Sequence, residues 1–394
     1  MPSFFKQILI GLTVGALTSL PFIWYTSSHS QEVRSTVSPS LNTNQILSSH
    51  AELSKEIAGF YPYWNLSKVS EVDLTNLTTV YYFALDLNGD GTWNQDDPGI
   101  SKLRTANYQL LKEKVLRNGT RWGLTIVNLS ADSIAKNISN PVRQQTIIKN
   151  TIKMMKQENF QDLNIDLEYA GDPDDNLKKS FTRFVQNMTQ AVKAQIPDSR
   201  VSIDFFADTY EKPRIYDLTA MSSLVDHVII MGYDFHRLSS LTAGPVAPLF
   251  GKEKYKYDIT TSVAGYQKFI PPSKIILGVP FYGYEWPTLD NQKGAFTISS
   301  LHGPEISSYA RSLETATKNH ASVNFDDESK SVWFSYFDTD YKTWRQVWFE
   351  NQRSLGLKFD LVNDAGLGGI AIFALGYDGG SAKPLWDEVK LKFP

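Results

Sequence analysis

Residues 162–168 read Asp-Leu-Asn-Ile-Asp-Leu-Glu, a strict alternation of polar and apolar side chains. Successive side chains of a strand point to opposite faces, so Asn164, Asp166 and Glu168 share one face and the leucines and isoleucine share the other. On a half-exposed strand the polar face would meet water. In a parallel barrel neither face does, so the polar face would point to the barrel axis, with Glu168 at the carboxyl-terminal rim where barrel enzymes place their chemistry.

The rest of the chain repeats a strand-then-helix order around this segment. Amphipathic patterns at 141–158 and 173–195 predict helices, the second with Asp172 as N-cap and Pro173 in the first turn. Parallel neighbours need such crossovers, and no dinucleotide or phosphate-binding glycine motif favours an open sheet. The eight predicted strands are residues 57–61, 79–85, 122–127, 163–168, 201–206, 227–233, 274–281 and 368–375.

This order predicts an α/β fold, a (β/α)8 TIM barrel. The interval between the seventh and eighth strands is too long for one helix. We therefore expect a small α+β insertion between strand 7 and strand 8, at about residues 284–340.

Composition narrows the function classes. The chain has 394 residues, 42% of them apolar, and a formal net charge of −3, so it lacks the basic field that nucleic acid binding requires. It has no cysteine, which excludes disulfides, thiolate metal sites and a cysteine nucleophile. Aromatic residues reach 13%, which suits a site that stacks flat ligands as well as a large core.

The amino-terminal region differs from the rest. Residues 8–25 carry no charge and follow Lys6, a pattern typical of an export signal, so we expect residues 1–25 to be a signal peptide or a membrane anchor. Residues 26–54 are rich in Ser, Thr, Asn and Gln and predict a flexible polar linker. Residues 55–394 would form the catalytic domain of an exported protein, extracytoplasmic and either membrane-anchored or secreted.

The carboxylates of the 162–168 strand suggest acid–base chemistry. Same-face residues lie about 6.5 Å apart, and burial together with a neighbouring like charge raises a carboxyl pKa toward the value a general acid needs. A two-carboxylate metal site is the competing interpretation. It would need a third ligand, and none of the 6 His residues lies in this segment.

The strand resembles the signature of glycoside hydrolase family 18, the chitinase family, whose pattern is Asp-x-x-Asp-x-Asp-x-Glu on the fourth barrel strand. Glu168 matches the acid/base position, Asp166 the aspartate that orients the acetamido group, and Asn164 a position where the family accepts Asp or Asn. The chain departs from the pattern at Gln161 and Asp162, where Asp or Asn and then Gly are usual.

Other segments resemble the same family in the same order. In the last of these segments, residues 368–373, the chain has Phe373 at the position where the family normally has Trp. The similar segments are residues 59–64 (strand 1), 80–84 (strand 2), 231–234 (strand 6, Met-Gly-Tyr-Asp), 277–283 (strand 7) and 368–373 (strand 8).

The resemblance implies a substrate-assisted mechanism, in which the sugar's own acetamido carbonyl attacks the anomeric carbon while Glu168 protonates the leaving oxygen. Asp166 and Tyr233 would hold that carbonyl, with Asn164 behind them, and configuration would be retained. No cofactor would be required. The residues expected to bind substrate are Asp234, Met231, Phe373, Tyr61 and Trp93.

The implied function is hydrolysis of β-1,4-linked N-acetylglucosamine polymers, in the manner of a chitinase, by a monomer. A peptidoglycan or N-glycan-core hydrolase of the same mechanism is the first alternative. A non-catalytic chitinase-like carbohydrate-binding protein is the second, and the presence of Glu168 argues against it. We expect a polysaccharide partner, no nucleic acid, and membrane contact only through the amino-terminal segment.

The loop after the second strand resembles a calcium-binding loop. Oxygen-bearing side chains recur at its alternate positions, but the twelfth residue is Asp rather than Glu and no helix precedes it. Such clusters are also common in turns. We state a structural Ca²⁺ site here as a hypothesis, with these ligands: Asp86, Asn88, Asp90, Thr92, Asn94 and Asp97.

Overall fold

The structure, a computed structural model, describes residues 55–300, 302–380 and 382–394. The predictions for residues 1–25 and 26–54 lie outside this range. Among the described residues, no helix is long and apolar enough to cross a membrane.

Eight parallel strands close into a barrel, so the predicted (β/α)8 fold is confirmed. Each predicted strand has an observed counterpart that differs from it by a few residues at most. Around the barrel every strand pairs with its sequence neighbour, and the last strand closes against the first. The barrel strands are β1 (Glu56–Pro62), β2 (Thr79–Asp86), β3 (Arg121–Asn128), β4 (Asp162–Leu167), β5 (Val201–Phe206), β6 (His227–Met231), β7 (Ile275–Pro280) and β13 (Gly369–Phe373).

Helices cover the outside of the barrel. The predicted helix at 141–158 is observed without change, whereas the next one begins later than expected. The α-helices are α1 (Pro98–Lys102), α2 (Ala106–Arg117), α3 (Ala131–Ile138), α4 (Pro141–Glu158), α5 (Asp175–Gln195), α6 (Leu218–Leu224), α7 (Lys252–Tyr255), α8 (Ile259–Tyr266), α9 (Tyr309–Lys318), α10 (Gln352–Asp364) and α11 (Lys383–Lys392). Two short 3₁₀ helices span Tyr63–Lys68 and Pro272–Lys274.

The N-cap predicted for α5 was wrong. Asp174, not Asp172, is the cap, because its carboxylate accepts a hydrogen bond from the Leu177 amide at 2.7 Å. Several aspartates precede the helix, and the one whose side chain reaches a free amide of the first turn sets its start.

The alternation in β4 separates two cores. Leu163, Ile165 and Leu167 are buried between the barrel and its helices. A smaller apolar cluster fills the barrel interior and includes Phe60 of β1 and Tyr81 of β2. The polar face of β4 therefore shares the barrel interior with aromatic side chains.

A second, antiparallel sheet forms the insertion between β7 and β13, as predicted. Its strands are β8 (Tyr282–Thr288), β9 (Glu305–Ser308), β10 (Asn324–Phe325), β11 (Val332–Asp338) and β12 (Thr343–Phe349), in the spatial order β10-β11-β12-β8-β9. The sheet runs from Tyr282 to Phe349 and so exceeds the predicted 284–340 at both ends. The larger extension is β12, which pairs with both β11 and β8 and therefore belongs to the insertion.

A buried ion pair joins the end of the insertion to α10. Lys358 Nζ lies 2.6 Å from Glu350 Oε2, and both side chains are almost fully buried. Ser331 Oγ donates to the other carboxylate oxygen at 2.8 Å. The cost of taking these two charges out of water is offset by their mutual attraction only while both partners are present.

We expect Lys358→Met to lower the free energy of unfolding by about 3–5 kcal/mol, because it leaves the Glu350 charge buried without its cation. Urea denaturation measures the loss. The matched control is Lys383→Met, which removes the exposed pair with Asp387 and should change stability by at most about 1 kcal/mol. Equal losses in the two variants would contradict the prediction.

Candidate active site

The candidate site is built on the carboxyl-terminal end of β4. Glu168 directly follows the strand, and its backbone amide donates to the Asn128 carbonyl at the end of β3. The Tyr216 hydroxyl donates to the Leu167 carbonyl at 2.7 Å. Both groups belong to the peptide unit between Leu167 and Glu168, so the two bonds fix the backbone from which the Glu168 side chain, half-buried at the rim, projects.

Asn164 and Asp166 lie deeper in the barrel on the same face. Asn164 is fully buried, and its Nδ2 donates to Ser202 Oγ at 3.1 Å and to Asp204 Oδ1 at 2.7 Å. Asp166 is 3% exposed, and its Oδ1 has no hydrogen-bond partner among the described residues. A buried acceptor without a donor is costly, so this oxygen is available to a donor on a ligand.

The electrostatics fit a proton donor at the rim. The pKa of Glu168 is raised to about 7: burial is the main cause, the positive charge of Arg237 opposes it and the negative charge of Asp234 adds to it. Burial also raises the pKa of Asp166 well above its usual range, and the charges of Glu168 and Asp204 add to that rise. A carboxylic acid with a pKa near 7 can protonate a leaving group at neutral pH.

If Glu168 is the acid, kcat/KM falls as pH rises through about 7, because only the protonated form can donate. Arg237→Gln removes the positive charge that lowers the pKa of Glu168. We therefore expect the alkaline fall in the kcat/KM–pH profile of this variant, its alkaline limb, to move to higher pH. The measurement is kcat/KM against pH for the two proteins. Arg183→Gln, at an exposed position of α5, is the control and should leave the limb in place.

Sequence analysis missed Asp204 and Arg237. Residues 201–206 of β5 alternate as β4 does, with Ser202 and Asp204 between apolar residues, so the signal was present in the sequence. Arg237 lies in the loop after β6, where no periodicity marks it; its Nε donates to the Asp234 carbonyl at 3.3 Å.

Aromatic rings form a floor beside the acid. Tyr233 and Phe373 stack with centroids 5.6 Å apart. Phe373 also contacts Phe60 at 6.0 Å and Phe83 at 5.1 Å. The structure thus brings the predicted Tyr233 and Phe373 together at the rim of the barrel, and Met231 is the last residue of β6, the strand that precedes Tyr233.

Asp234 is held by the insertion. Its Oδ1 accepts hydrogen bonds from the hydroxyls of Tyr282, at 2.5 Å, and Tyr284, at 2.8 Å, at the start of β8. Both tyrosines belong to an apolar cluster that also contacts Tyr233 and Phe373. The insertion therefore forms one wall of the site and fixes the orientation of Asp234.

The assignment of Tyr61 to substrate binding was wrong. Tyr61 is 0% exposed, packs in the core between barrel and helices, and donates its hydroxyl to the Asn65 carbonyl. Its neighbour Phe60 points to the barrel interior instead. Trp64 is the exposed aromatic of this segment: it is 39% exposed, meets Phe83 edge-on at 6.0 Å and donates Nε1 to the Tyr377 hydroxyl.

Trp93 is half-buried and packs against the core of the domain. Its backbone forms an antiparallel bridge with Leu87 across the base of the loop after β2. No hydrogen bond or ring contact recorded among the described residues joins its side chain to the carboxylates of β4, and its role as a sugar platform stays a prediction.

In the loop predicted to bind Ca²⁺, the carboxylates pair with protein donors. Asp86 accepts from Asn94 Nδ2 at 2.7 Å, and Asp90 accepts from the Thr92 amide and hydroxyl. Asp97 caps α1 through the amide of Gly99 and accepts from the Tyr63 hydroxyl.

Asn88 donates its side-chain amide to Thr92 and to the Trp93 carbonyl. The described part of the chain holds no group of three or more His, Asp or Glu side chains placed to bind a metal ion.

The calcium hypothesis stays a prediction: if it is right, millimolar Ca²⁺ raises the melting temperature of the protein relative to that measured with chelator. Identical melting curves would contradict it.

Comparison with known proteins supplies the family. Residues 56–378 match the family described as Glycosyl hydrolases family 18. The chain is 26% identical to the cortical fragment-lytic enzyme of Bacillus anthracis over 314 residues, which is 76% of this chain and 65% of that protein. It is 24% identical to the di-N-acetylchitobiase of Rattus norvegicus, over 74% of this chain and 80% of that protein. The chain thus spans less than two thirds of the first of these relatives.

Solved structures share the fold. The Group IV chitinase of Ostrinia furnacalis in complex with allosamidin superposes with a TM-score of 0.73 at 20% identity, covering 86% of this chain and 98% of that one. The spore cortex-lytic enzyme SleL of Bacillus megaterium gives a TM-score of 0.69 at 20% identity, covering 86% of this chain and 74% of that one.

Proposed function

Because this chain belongs to glycosyl hydrolase family 18, we propose that it hydrolyses β-1,4 glycosidic bonds of N-acetylglucosamine polymers with retention of configuration. The observation that carries the proposal is the position of Glu168: a carboxylic acid at the end of β4 on the barrel rim, with its pKa raised to about 7 and an aromatic floor beside it. Aromatic faces and convergent polar groups are what a sugar ring requires.

The arrangement of carboxylates supports substrate assistance. Asp166 lies behind Glu168 on the same face of β4, so the two carboxyls share one side of the bond and do not flank it as a conventional pair does. Asp234, in the loop after β6, is held by the two tyrosine hydroxyls of β8. Neither aspartate is placed as a free nucleophile across the sugar ring.

In the proposed reaction the acetamido carbonyl oxygen attacks the anomeric carbon as Glu168 gives its proton to the leaving oxygen. Tyr233 donates its hydroxyl to that carbonyl, and Asp166 accepts from the acetamido N–H through its unpartnered Oδ1. Water, deprotonated by Glu168, then opens the cyclic intermediate, so two inversions retain the configuration. Preorganised donors and acceptors of this kind stabilise charge as it develops.

Chitin-type polymers are the first substrate candidate, because the proposed reaction needs only an N-acetylglucosamine in the cleavage subsite. Peptidoglycan is the second candidate, favoured by the relatives whose names refer to the spore cortex. Both polymers offer an N-acetyl group at every sugar.

We further propose that the protein acts as a monomer without a required cofactor, outside the cytoplasm, either secreted or attached through residues 1–25. The uncharged stretch after Lys6 supports the export.

The test is to incubate the full-length protein with chitin oligomers, peptidoglycan and an N-glycosylated protein, and to identify released fragments by mass. Fragments ending in N-acetylglucosamine support the proposal, and their source selects the substrate. No cleavage of any of the three, by a protein that melts cooperatively, would refute it.

A further inference from the structure

Arg237 lies in the loop after β6, three residues beyond Asp234, and this loop is held in place at Arg237. Its Nε donates to the Asp234 carbonyl at 3.3 Å, and its backbone amide donates to Ser240 Oγ at 2.9 Å. The Arg237 carbonyl accepts from Trp286 Nε1, on β8 of the insertion, at 3.1 Å. The backbone that carries this side chain is therefore fixed both by its own loop and by the wall of the site.

The guanidinium of Arg237 is exposed and is not neutralised by the protein. In the part of the chain that the structure describes, no Asp or Glu forms an ion pair with it, and its two terminal nitrogens have no hydrogen-bond partner. The cations of the neighbouring loop after β5 differ, because Lys212 and Arg214 both pair with Asp208 at 2.7 Å. A guanidinium that keeps its terminal nitrogens free can bind an anion on a ligand.

The charge of Arg237 acts on the centre of the site. Burial raises the pKa of both Glu168, at the end of β4, and Tyr284, on β8, and the positive charge of Arg237 opposes both rises. A Coulomb interaction weakens with distance, so the guanidinium lies near both side chains. An anionic group on a sugar bound beside Glu168 would thus be attracted to Arg237.

The two candidate polymers differ in just such a group. A chitin-type polymer is neutral. Peptidoglycan alternates N-acetylglucosamine with N-acetylmuramic acid, whose 3-O-lactyl group ends in a carboxyl. That carboxyl is either free, and ionised at neutral pH, or linked to a stem peptide that bears carboxylates of its own. Arginine binds a carboxylate through two parallel hydrogen bonds.

We propose that Arg237 is a specificity-determining residue, which binds a carboxylate substituent of a sugar beside the cleaved bond and so favours peptidoglycan-type strands over chitin. The proposal rests on the hydrolytic function proposed above. Both polymers supply the N-acetyl group that the reaction needs, so the anionic substituent distinguishes them. If Arg237 acted only on the pKa of Glu168, its loss would change the cleavage of all these substrates alike.

The test compares kcat/KM for oligosaccharides of equal length at about pH 6, where a general acid with a pKa near 7 is protonated. One oligomer alternates N-acetylglucosamine with N-acetylmuramic acid and has free lactyl carboxyls. In its matched partner each carboxyl is a neutral methylamide, which has similar bulk and no charge. A second pair carries L-alanyl-D-glutamate on the lactyl groups, either as the free acid or as the diamide.

The wild type should cleave an acid form about tenfold faster than its amide, and Arg237→Gln should bring this ratio close to one. Arg237→Lys keeps the charge without the planar fork and should keep part of the preference. Added salt should lower the preference of the wild type but not the ratio of Arg237→Gln. Arg183→Gln, at an exposed position of α5, is the control and should keep the full preference.

The two pairs distinguish the sources of the carboxylate. An Arg237-dependent preference in the first pair assigns the lactyl group, and one in the second pair assigns the stem peptide. The masses of the products show on which side of the cleaved bond the muramic acid lies. Equal acid-to-amide ratios in the wild type and Arg237→Gln, for both pairs, would overturn the proposal while the hydrolytic function stands.

If the wild type cleaves nothing, the hydrolytic function fails instead, and calorimetry still tests Arg237. The proposal then requires that the wild type bind an acid form about tenfold more tightly than its amide, and that Arg237→Gln remove the difference. Equal affinities for acid and amide, or no binding of either, would overturn it. Melting curves of the variants check that each one is folded.

Discussion

Glu168→Gln is expected to lower kcat by roughly 10²–10⁴-fold while leaving the affinity for chitin oligomers nearly unchanged. The amide has the shape of the acid but no proton to give to the leaving oxygen, and no other acid lies at the end of β4. Because the lost interaction is made only in the transition state, kcat and kcat/KM should fall together. Turnover is measured by reducing-end release and binding by calorimetry.

The control for this experiment is Glu113→Gln. Glu113 is an exposed glutamate of α2, and among the described residues its ion pair is a surface contact with Arg117. Its replacement should leave both turnover and binding unchanged. Near-normal turnover in a Glu168→Gln protein that melts like the wild type would remove Glu168 from the role of general acid.

The second large effect concerns the substrate. An oligomer whose sugar in the cleavage subsite has lost its N-acetyl group should bind but react at least about 1000-fold more slowly, because the nucleophile held next to the anomeric carbon is gone. Oligomers with one glucosamine at a known position are compared with fully acetylated ones. The masses of the products show which bond is cleaved.

Two variants test the same step from the protein side. Asp166→Ala and Tyr233→Phe should depress kcat more than they weaken binding, since their contacts strengthen as the carbonyl approaches the anomeric carbon. A thiazoline mimic of the cyclised sugar should inhibit. Efficient cleavage of the de-acetylated position, or a covalent glycosyl group trapped on any Asp or Glu, would replace this mechanism with a conventional carboxylate pair.

Much of the fold could be predicted from the sequence because the signals that determine it are local. The alternation in β4 and the helical period of α4 depend on residues a few positions apart, and both elements were predicted close to their observed bounds. The carboxyl-terminal position of Glu168 follows from strand direction alone in a parallel barrel. Composition likewise excluded cysteine chemistry without a structure.

Where a strand is apolar on both faces, its sequence does not show which residues face the barrel interior and which face the helices. All residues of β1 from Ile57 to Pro62 are buried, so hydrophobicity did not distinguish Phe60, which faces the barrel interior, from Tyr61, which faces the helices. A strand buried on both sides has lost the alternation on which such a prediction depends.

Contacts between distant parts of the chain were decided only by the tertiary structure. Asn164 meets Asp204 because β4 and β5 are neighbours in the closed barrel, and Asp234 meets Tyr282 and Tyr284 because the insertion folds back over the rim. Where polar and apolar residues alternate, as in β4, the sequence itself determined which side chains lie on the inner face of the strand. Which of them touch, and therefore which pKa values shift, depends on how the strands are arranged around the barrel, since a Coulomb interaction is set by the distance in space and not by the distance along the chain.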